Sequence, residues 1–574
     1  MLTVLLAAAL MGCPAGPAPA FWPISKDVRT TAEQQIHPLS LAADTTPVNP
    51  SQVALYATYG YSAWTAGAGT DYGNDPAHPQ AYDKRTDLAP AYAGAPGAAR
   101  LLRFFSFSDV HISDKESPAQ PLYVGWSAPY GASTSLAAAY SPVLLSTTQV
   151  LDAAVQTVNA LHRKSPFDFG IMLGDAVNNT QYNELRWYID VIDGKVITPS
   201  SGAHAGAYKT DYQRPFKAAG LNKSIPWYQV LGNHDQFWMG SSLESIKTLQ
   251  AHIGNTVLNM VNNPDPSAGG VNGTGTYMGV IDGTTPYGDV IKGGPQGNFE
   301  VPPTVVADPD RRSLATLTSS SNNWMREFFK TDSKPVGHGF TQANLDNDSA
   351  CYSFVPKSNL PLKVIVLDNT VKGSGQPNYA AGGLDEARLA WLKAELQAGQ
   401  DNDQLMIIAA HVPLLPGTSL TDPTPTPMSA QDESELLASL HEYPNLILWI
   451  AGHRHVNVVS AQPYDPTEEG QGPENSFWEV ETPSLKDFPQ QFRTFDIRRN
   501  GDNTISIFVT DVDPAVRPGT PAAKSRGYAI GTARVFGGTP EVLADTTSQA
   551  YNAELVKQLT PRMQTVVATC GTAL

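Results

Sequence analysis

The chain has 574 residues, with 38 Lys and Arg against 54 Asp and Glu, a formal charge of -16 and a pI of about 5.2. That balance argues against general nucleic-acid binding or capture of anionic membrane, which need positive surface; a phosphate substrate stays open, because bound cations reverse the field inside a site. Charged residues are only 16% of the chain, beside 47 Gly and 46 Pro, which suits one large folded domain with long loops better than a coiled coil or a charged disordered chain.

The N-terminal run MLTVLLAAALMGC is apolar and ends on Cys13. It reads as an export or lipoprotein segment over residues 1–20, with Cys13 as the point of a membrane tether, although no positive segment precedes it. The alternative is an apolar end that packs against the fold. Export would place the protein in the periplasm, on the cell surface or outside the cell. No later stretch has the length and purity of a transmembrane helix. Residues 21–100 lack a periodic segment and read as a linker and irregular arm.

The main domain is expected over residues 101–500. It opens with the strand signal LLRFFSFSDVH, residues 101–111. An amphipathic helix follows over 142–163, then a strand in FDFGIMLGD ending on Asp175, a helix in QYNELRWYIDVIDG, and a strand in SIPWYQVLGNHD. This is the βαβ rhythm of a layered α/β fold. Residues 238–350, crowded with Gly, Asn, Asp, Pro and Ser, read as a long insertion beside the site, with a helix at 322–329. Core signals resume in LKVIVLDNT, in the helix GLDEARLAWLKAELQ, in DNDQLMIIAAHVP ending at His411, in the helix SELLASLHEYP, and in LILWIAGHRHVNVV, which runs into His453 and His455. The segments FWEVETPSL, FRTFDIRR, TISIFVTDVD and RGYAIGTARVF read as strands, and 501–574 as a β-rich C-terminal extension.

Cys13, Cys351 and Cys570 are the full cysteine set. Cys351 and Cys570 form a disulfide in an oxidising compartment or remain free thiols, and both alternatives are open. Without a cysteine-rich zinc motif, any metal must be held by Asp, Asn and His. Such residues stand where strand signals end: Asp109 and His111, Asp175, Asn233 with His234, His411, and His453 with His455. Ligand-binding groups of an open α/β sheet gather beyond the carboxyl ends of its strands, so residues hundreds apart can share one crevice.

The blocks FSDVH, Gly174-Asp175, GNHD (Gly232 to Asp235), His411 and GHRH (Gly452 to His455) resemble, in order, those of the calcineurin-like metallophosphoesterase superfamily, over residues 101–485. The resemblance implies a central β-sandwich flanked by helices, a dinuclear centre at one edge of the sheets, and hydrolysis of phosphate esters. It implies that Asp109, His111, Asp175 and His455 hold a first ion, that Asp175 bridges to a second, and that Asn233, His411 and His453 complete that second site. A carboxylate has two oxygens and a negative charge, so it can join cations about 3.5–4 Å apart. The mixed nitrogen and oxygen set suits divalent or mixed-valence iron, manganese, zinc or cobalt better than calcium or magnesium alone. The ions would lower the pKa of a water, whose hydroxide attacks phosphorus in line with the leaving alcohol.

By the same resemblance His234 is the non-ligand histidine that protonates the leaving oxygen or stabilises the transition state. Asp235 either orients it as a carboxylate partner or caps the following turn. Asn178, Ser484, Lys486 and Arg493 are candidate substrate contacts. Trp126, Tyr130, Trp238 and Tyr277 are candidates for an aromatic wall. On an extended segment the paired residues Asp109/His111 and His453/His455 point the same way, with Arg454 facing away from the metals, while a turn would redirect them. His338 reads as an exposed loop residue. The favoured activity is a phosphodiesterase acting on a small-molecule phosphate ester. The alternatives are a phosphomonoesterase of the acid-phosphatase or nucleotidase type, and a non-catalytic metal-containing binding protein. Nothing in the sequence sets an oligomeric state.

Overall fold

The computed structural model describes residues 17–48, 52–73, 80–122, 142–255, 277–281, 284–288, 290–292, 305–318, 320–373, 379–414, 430–535 and 552–574. Cys13, Trp126, Tyr130 and the side chain of Tyr277 lie outside the described residues. The chain is mixed α/β. Its main elements, in chain order, are β1 (Asp83–Leu88), β2 (Gly97–Phe107), α1 (Thr147–Lys164), β3 (Phe169–Met172), α2 (Tyr182–Asp193), β4 (Trp227–Gln229), α3 (Ile246–Ile253), β5 (Tyr352–Phe354), β6 (Leu362–Val366), α4 (Glu386–Asp401), β7 (Leu405–Ala409), α5 (Ala430–His441), β8 (Leu446–Ala451), β9 (Val458–Gln462), β10 (Phe477–Glu481), β11 (Phe492–Asn500), β12 (Ile505–Val512), α6 (Pro521–Val535), β13 (Ala553–Lys557) and β14 (Thr572–Ala573). Among the described residues no helix is long and apolar enough to cross a membrane.

Two sheets dominate. An eight-stranded sheet runs β1-β13-β12-β11-β2-β3-β4, with β14 pairing to β2, and a six-stranded sheet runs β5-β6-β7-β8-β10-β9. Within them β2, β3 and β4 are parallel, as are β6, β7, β8 and β10. The parallel strands of the second sheet are buried at every position, which is why LMIIA and LILWIA are continuous apolar runs rather than alternating ones, and LKVIV is broken only by Lys363, which pairs with Glu395. Their period of two divides them between two clusters. Val364, Val366, Ile407 and Ile450 join a core shared with Leu102, Phe104, Ile171 and Ile507 of the larger sheet. Ile365, Ile408 and Trp449 pack on the other face with Leu392 and Leu396 of α4 and Leu436 and Leu440 of α5. In the larger sheet Phe104 lies between Phe169 and Phe495, with ring centroids 4.8 and 4.6 Å apart. Each such pair contributes about 0.5–1.5 kcal/mol beyond the area it buries, so this ladder helps fix the register of β3, β2 and β11.

The helices follow their local chemistry. In α1, Leu151, Ala154, Val155, Val158 and Leu161 recur on one face and enter the main core, while His162, Arg163 and Lys164 close the last turn, where cations favour the helix dipole. Asp385 caps α4 by accepting from the amide of Arg388. Gly194 ends α2 at φ 77°, a conformation glycine takes without a Cβ penalty.

Several expectations are corrected. The arm before residue 100 is structured: Gln34–Pro38 pairs with Trp64–Ala68, and β1 joins the large sheet beside β13. Residues 501–574 supply β12 and β13 to that same sheet. RGYAIGTARVF is not a strand: residues 526–535 of it belong to α6. Its β-forming residues are interleaved with Gly and Ala, which let the helix lie close to its neighbours; a Cβ on Gly531 would fall 2.5 Å from the ring of Tyr56. The insertion helix spans Asn322–Glu327. Among the described residues Cys351 and Cys570 are free thiols, the first buried, which is one of the two alternatives the sequence leaves open.

Candidate metal centre

Seven side chains meet where the parallel strands of both sheets end. Asp109 and His111 follow β2, Asp175 follows β3, Asn233 follows β4, His411 follows β7, and His453 and His455 follow β8. Five of them, Asp109, His111, Asp175, His453 and His455, have positive φ, between 46° and 73°. Left-handed backbone is uncommon for any residue other than glycine, and its concentration here marks loops whose shape is held by their surroundings. Of the two alternatives open for the pairs, the turn holds: Asp109/His111 and His453/His455 converge through turns. The glycines that precede three of these residues give the loops room. A Cβ on Gly174 would lie 2.7 Å from His411 Nδ1, one on Gly232 2.2 Å from Asp175 Oδ1, and one on Gly452 1.7 Å from Ser108 Oγ.

The donor atoms of the seven candidates fall into two groups that share one oxygen, and His234 also lies within ligand range of His111 and Asp175. In the first, His111 Nε2 is 3.1 Å from His455 Nε2, 3.8 Å from Asp109 Oδ1 and 3.6 Å from Asp175 Oδ2, and His455 Nε2 is 3.2 Å from Asp109 Oδ1. In the second, His411 Nε2 is 3.3 Å from the same Asp175 Oδ2 and 2.9 Å from Asn233 Oδ1, while His453 Nδ1 is 3.2 Å from Asn233 Oδ1 and 3.3 Å from His411 Nε2. Ligands about 2.1 Å from a common ion stand about 3.0 Å apart in an octahedron and about 3.4 Å apart in a tetrahedron. The second group has that spacing, as do the contacts of His455 in the first, while His111 Nε2 stands 3.6 and 3.8 Å from the two carboxylate oxygens.

The hydrogen bonds behind these atoms set which lone pairs face inward. His411 Nδ1 donates to the carbonyl of Leu173 at 2.7 Å, and His455 Nδ1 lies 2.8 Å from Asp487 Oδ2, so in each ring Nε2 presents a lone pair. Asn233 donates through Nδ2 to Gly240 O, which turns its Oδ1 into the site. Asp175 Oδ1 accepts from the amide of His234, leaving Oδ2 for the cluster. Asp109 Oδ2 accepts from Ser108 Oγ and the amide of His453, whereas Asp109 Oδ1 and His111 Nδ1 are buried without a hydrogen-bond partner among the described residues. Acceptors thus face acceptors at 2.9–3.6 Å, an arrangement that a cation makes favourable. The donor set therefore fits two metal ions.

Protonation is the other way to relieve such crowding, and the ionisation tendencies show it. Burial lowers the pKa of His455, but Asp109 and Asp487 more than reverse this and raise it to about 10; burial likewise opposes Asp175 and Asp109 at His411, which ends at about 9. Burial outweighs the carboxylates at His111 and His453, which fall to about 3 and about 4. Asp109 is held well below the usual carboxylate range despite its burial, by the charges of His455 and the other histidines around it.

The remaining candidates separate. His234 Nδ1 donates to the carbonyl of Asn178 at 2.7 Å, and its ring stands 4.5 Å from that of His111, edge to face. Asp235 does not orient that ring, which corrects the dyad alternative: its carboxylate accepts from the amides of Gly232, Ala176 and Val177 and ties the β3 and β4 exits together. Lys486 is buried, with Nζ 3.3 Å from Asn178 Oδ1, and burial draws its pKa down to about 8. Asn178 also donates to Gln120. Ser484 donates to the carbonyl of Asp109 and accepts from the amides of Lys486 and Asp487. Arg493 is not a substrate contact here: it is buried and engaged with Glu481 O, Asn457 Oδ1 and Asp511. Arg454 pairs with Glu481. Trp238 donates to Ala119 O. His338, expected to be exposed, is buried and stacked on Trp227 with centroids 3.4 Å apart. Asp487, beside the first group, was not singled out from sequence; the signal lies in its place one residue after Lys486, in the stretch that follows the GHRH block.

No family model matches the chain, and no curated protein matches it. Among solved structures, a dimetal phosphatase from Danio rerio is 12% identical, with 73% of this chain and 100% of that chain covered and a TM-score of 0.34. GAP50, the anchor in the inner membrane complex of Plasmodium, is 13% identical, with 72% of this chain and 85% of that chain covered and a TM-score of 0.28.

Proposed function

We propose that this protein hydrolyses phosphate esters with two bound transition-metal ions, as a member of the metallophosphoesterase superfamily with that family's layered arrangement of sheets. The observation that carries the reading is the single oxygen, Asp175 Oδ2, shared between two ligand groups of metal-like spacing. Asp109, His111, Asp175 and His455 would hold one ion, and Asp175, Asn233, His411 and His453 the other. Bound there, the ions would supply charge to the phosphoryl oxygens and a water of lowered pKa as nucleophile.

The chain's own groups do the rest. The amide of His234 fixes Asp175 Oδ1, so the shared oxygen keeps its direction. The Asn178 carbonyl holds His234 Nδ1 and leaves Nε2 to meet substrate; burial lowers the ring's pKa, which makes Nε2 an acceptor until the ring takes up a proton. Lys486, with Nζ 3.3 Å from Asn178 Oδ1, adds through its charge to the lowering that burial imposes on His111 and His234.

The diester preference is supported by how the nearby arginines are used. A monoester dianion asks for more positive charge than a diester; Arg454 is paired with Glu481 and Arg493 is turned to Glu481 O and Asp511, so the cation that the chain adds beside the ligand groups is Lys486. The test is hydrolysis of bis-p-nitrophenyl phosphate and p-nitrophenyl phosphate by metal-analysed protein with added manganese. Faster cleavage of the diester supports this reading, and faster cleavage of the monoester replaces it with a phosphatase. Export through the apolar N-terminus belongs to the same proposal; cell fractionation that finds the protein in the cytoplasm would remove it.

A further inference from the structure

We infer that Asp487 is a positioning residue for the first ion: it holds the His455 ring through Nδ1, fixing both the tautomer and the rotation that direct Nε2 into the ligand group. The inference rests on the two-ion reading above. His455 lies beyond the end of β8, at φ 60°, where no strand ladder sets its direction. Its ring has two nitrogens of opposite use. Nε2 stands 3.1 Å from His111 Nε2 and 3.2 Å from Asp109 Oδ1, and Nδ1 stands 2.8 Å from Asp487 Oδ2. A carboxylate there compels Nδ1 to carry the proton and keeps the Nε2 lone pair for metal.

Asp487 is itself held. Its amide donates to Ser484 Oγ, Ser484 Oγ donates to the carbonyl of Asp109, and the amide of Leu485 donates to the carbonyl of Ser108. One buried turn, residues 484–487, therefore braces two ligands of the same ion, Asp109 through its backbone and His455 through its ring. The other ligand histidines are set differently. His411 leans on the carbonyl of Leu173, a neutral acceptor, and His111 Nδ1 has no hydrogen-bond partner among the described residues. Losing the Asp487 carboxylate should therefore weaken one ion and spare the other.

The experiment is a titration of manganese into metal-free protein against a competing chelator, for wild type, Asp487→Ala and Asp487→Asn, with thermal melts of the metal-free forms alongside. Asp487→Ala should lose about 10–100-fold in affinity for one of two ions. Asp487→Asn should lose less, because the amide oxygen can still accept from Nδ1; being isosteric, it carries the test if the alanine variant does not fold. In a His455→Ala background, Asp487→Ala should add no further loss, which a merely structural role in the loop would not produce. Wild-type affinity for both ions in Asp487→Ala, or an undiminished loss in the His455→Ala background, overturns the inference alone. A wild-type protein that binds no metal overturns the two-ion reading with it.

Discussion

Replacing Gly232 with alanine tests the shared carboxylate without touching any ligand. The added methyl would lie 2.2 Å from Asp175 Oδ1 and 2.3 Å from the amide nitrogen of Asp175. Van der Waals contact requires a retreat of about 1 Å. The carboxylate has little freedom to give, because Oδ1 accepts from His234 N at 2.8 Å and the carbonyl of Asp175 accepts from His111 N at 3.0 Å. Overpacking of this kind costs about 1–3 kcal/mol, which a domain with the usual 5–15 kcal/mol of stability survives, while a misplacement of about 1 Å costs on the order of 100-fold in turnover. The variant should fold, melt at lower temperature, bind both ions more weakly and turn over bis-p-nitrophenyl phosphate about 100-fold more slowly. Gly501→Ala, whose methyl meets nothing closer than 3.7 Å, is the control. Normal metal content and turnover in Gly232→Ala would refute the placement of Asp175 between the two groups.

Other outcomes follow from the same geometry. Asp175→Asn should remove most activity and loosen both ions by elemental analysis; normal occupancy would contradict the bridging assignment. His234→Asn should lower turnover by about 100-fold or more while leaving metal content nearly intact, and a parallel loss of metal would make His234 a ligand instead. Asp152, buried in α1, accepts from the amide of Ala219 at 2.7 Å, and burial pushes its pKa from 3.8 up to about 7. Between those values the unfolded chain is ionised while the folded one keeps its proton, so stability is lost as pH rises through that window. Asp152→Asn should therefore gain on wild type in denaturant melts at pH 7.5 relative to pH 4.5; parallel pH dependence in the two proteins would count against it.

The seven ligand candidates were legible because each ends a buried apolar run, and strand exits of parallel sheets are where distant residues meet. The parallel strands were legible for the same reason, since burial on both faces leaves a run such as LILWIA without polar interruption. What was not legible depends on partners remote in sequence. Asp235 looks like a partner for His234, yet three backbone amides claim its carboxylate. His338 looks like a loop residue because nothing nearby in sequence announces Trp227 as its stacking surface. Asp487 reaches His455 across 32 residues of chain with no periodicity to flag it. In α6, Tyr, Ile, Thr and Val favour a strand in isolation, whereas the helix packs through Gly531 against Tyr56 and Gly527 against Ser62, partners remote in sequence.

The most direct test of the central claim is the activity of metal-free protein against bis-p-nitrophenyl phosphate as manganese is added back and bound metal is counted. Hydrolysis that is absent without metal and reaches its full rate only at two ions per chain is the predicted result; hydrolysis that survives complete metal removal, or none with two ions bound, would contradict it.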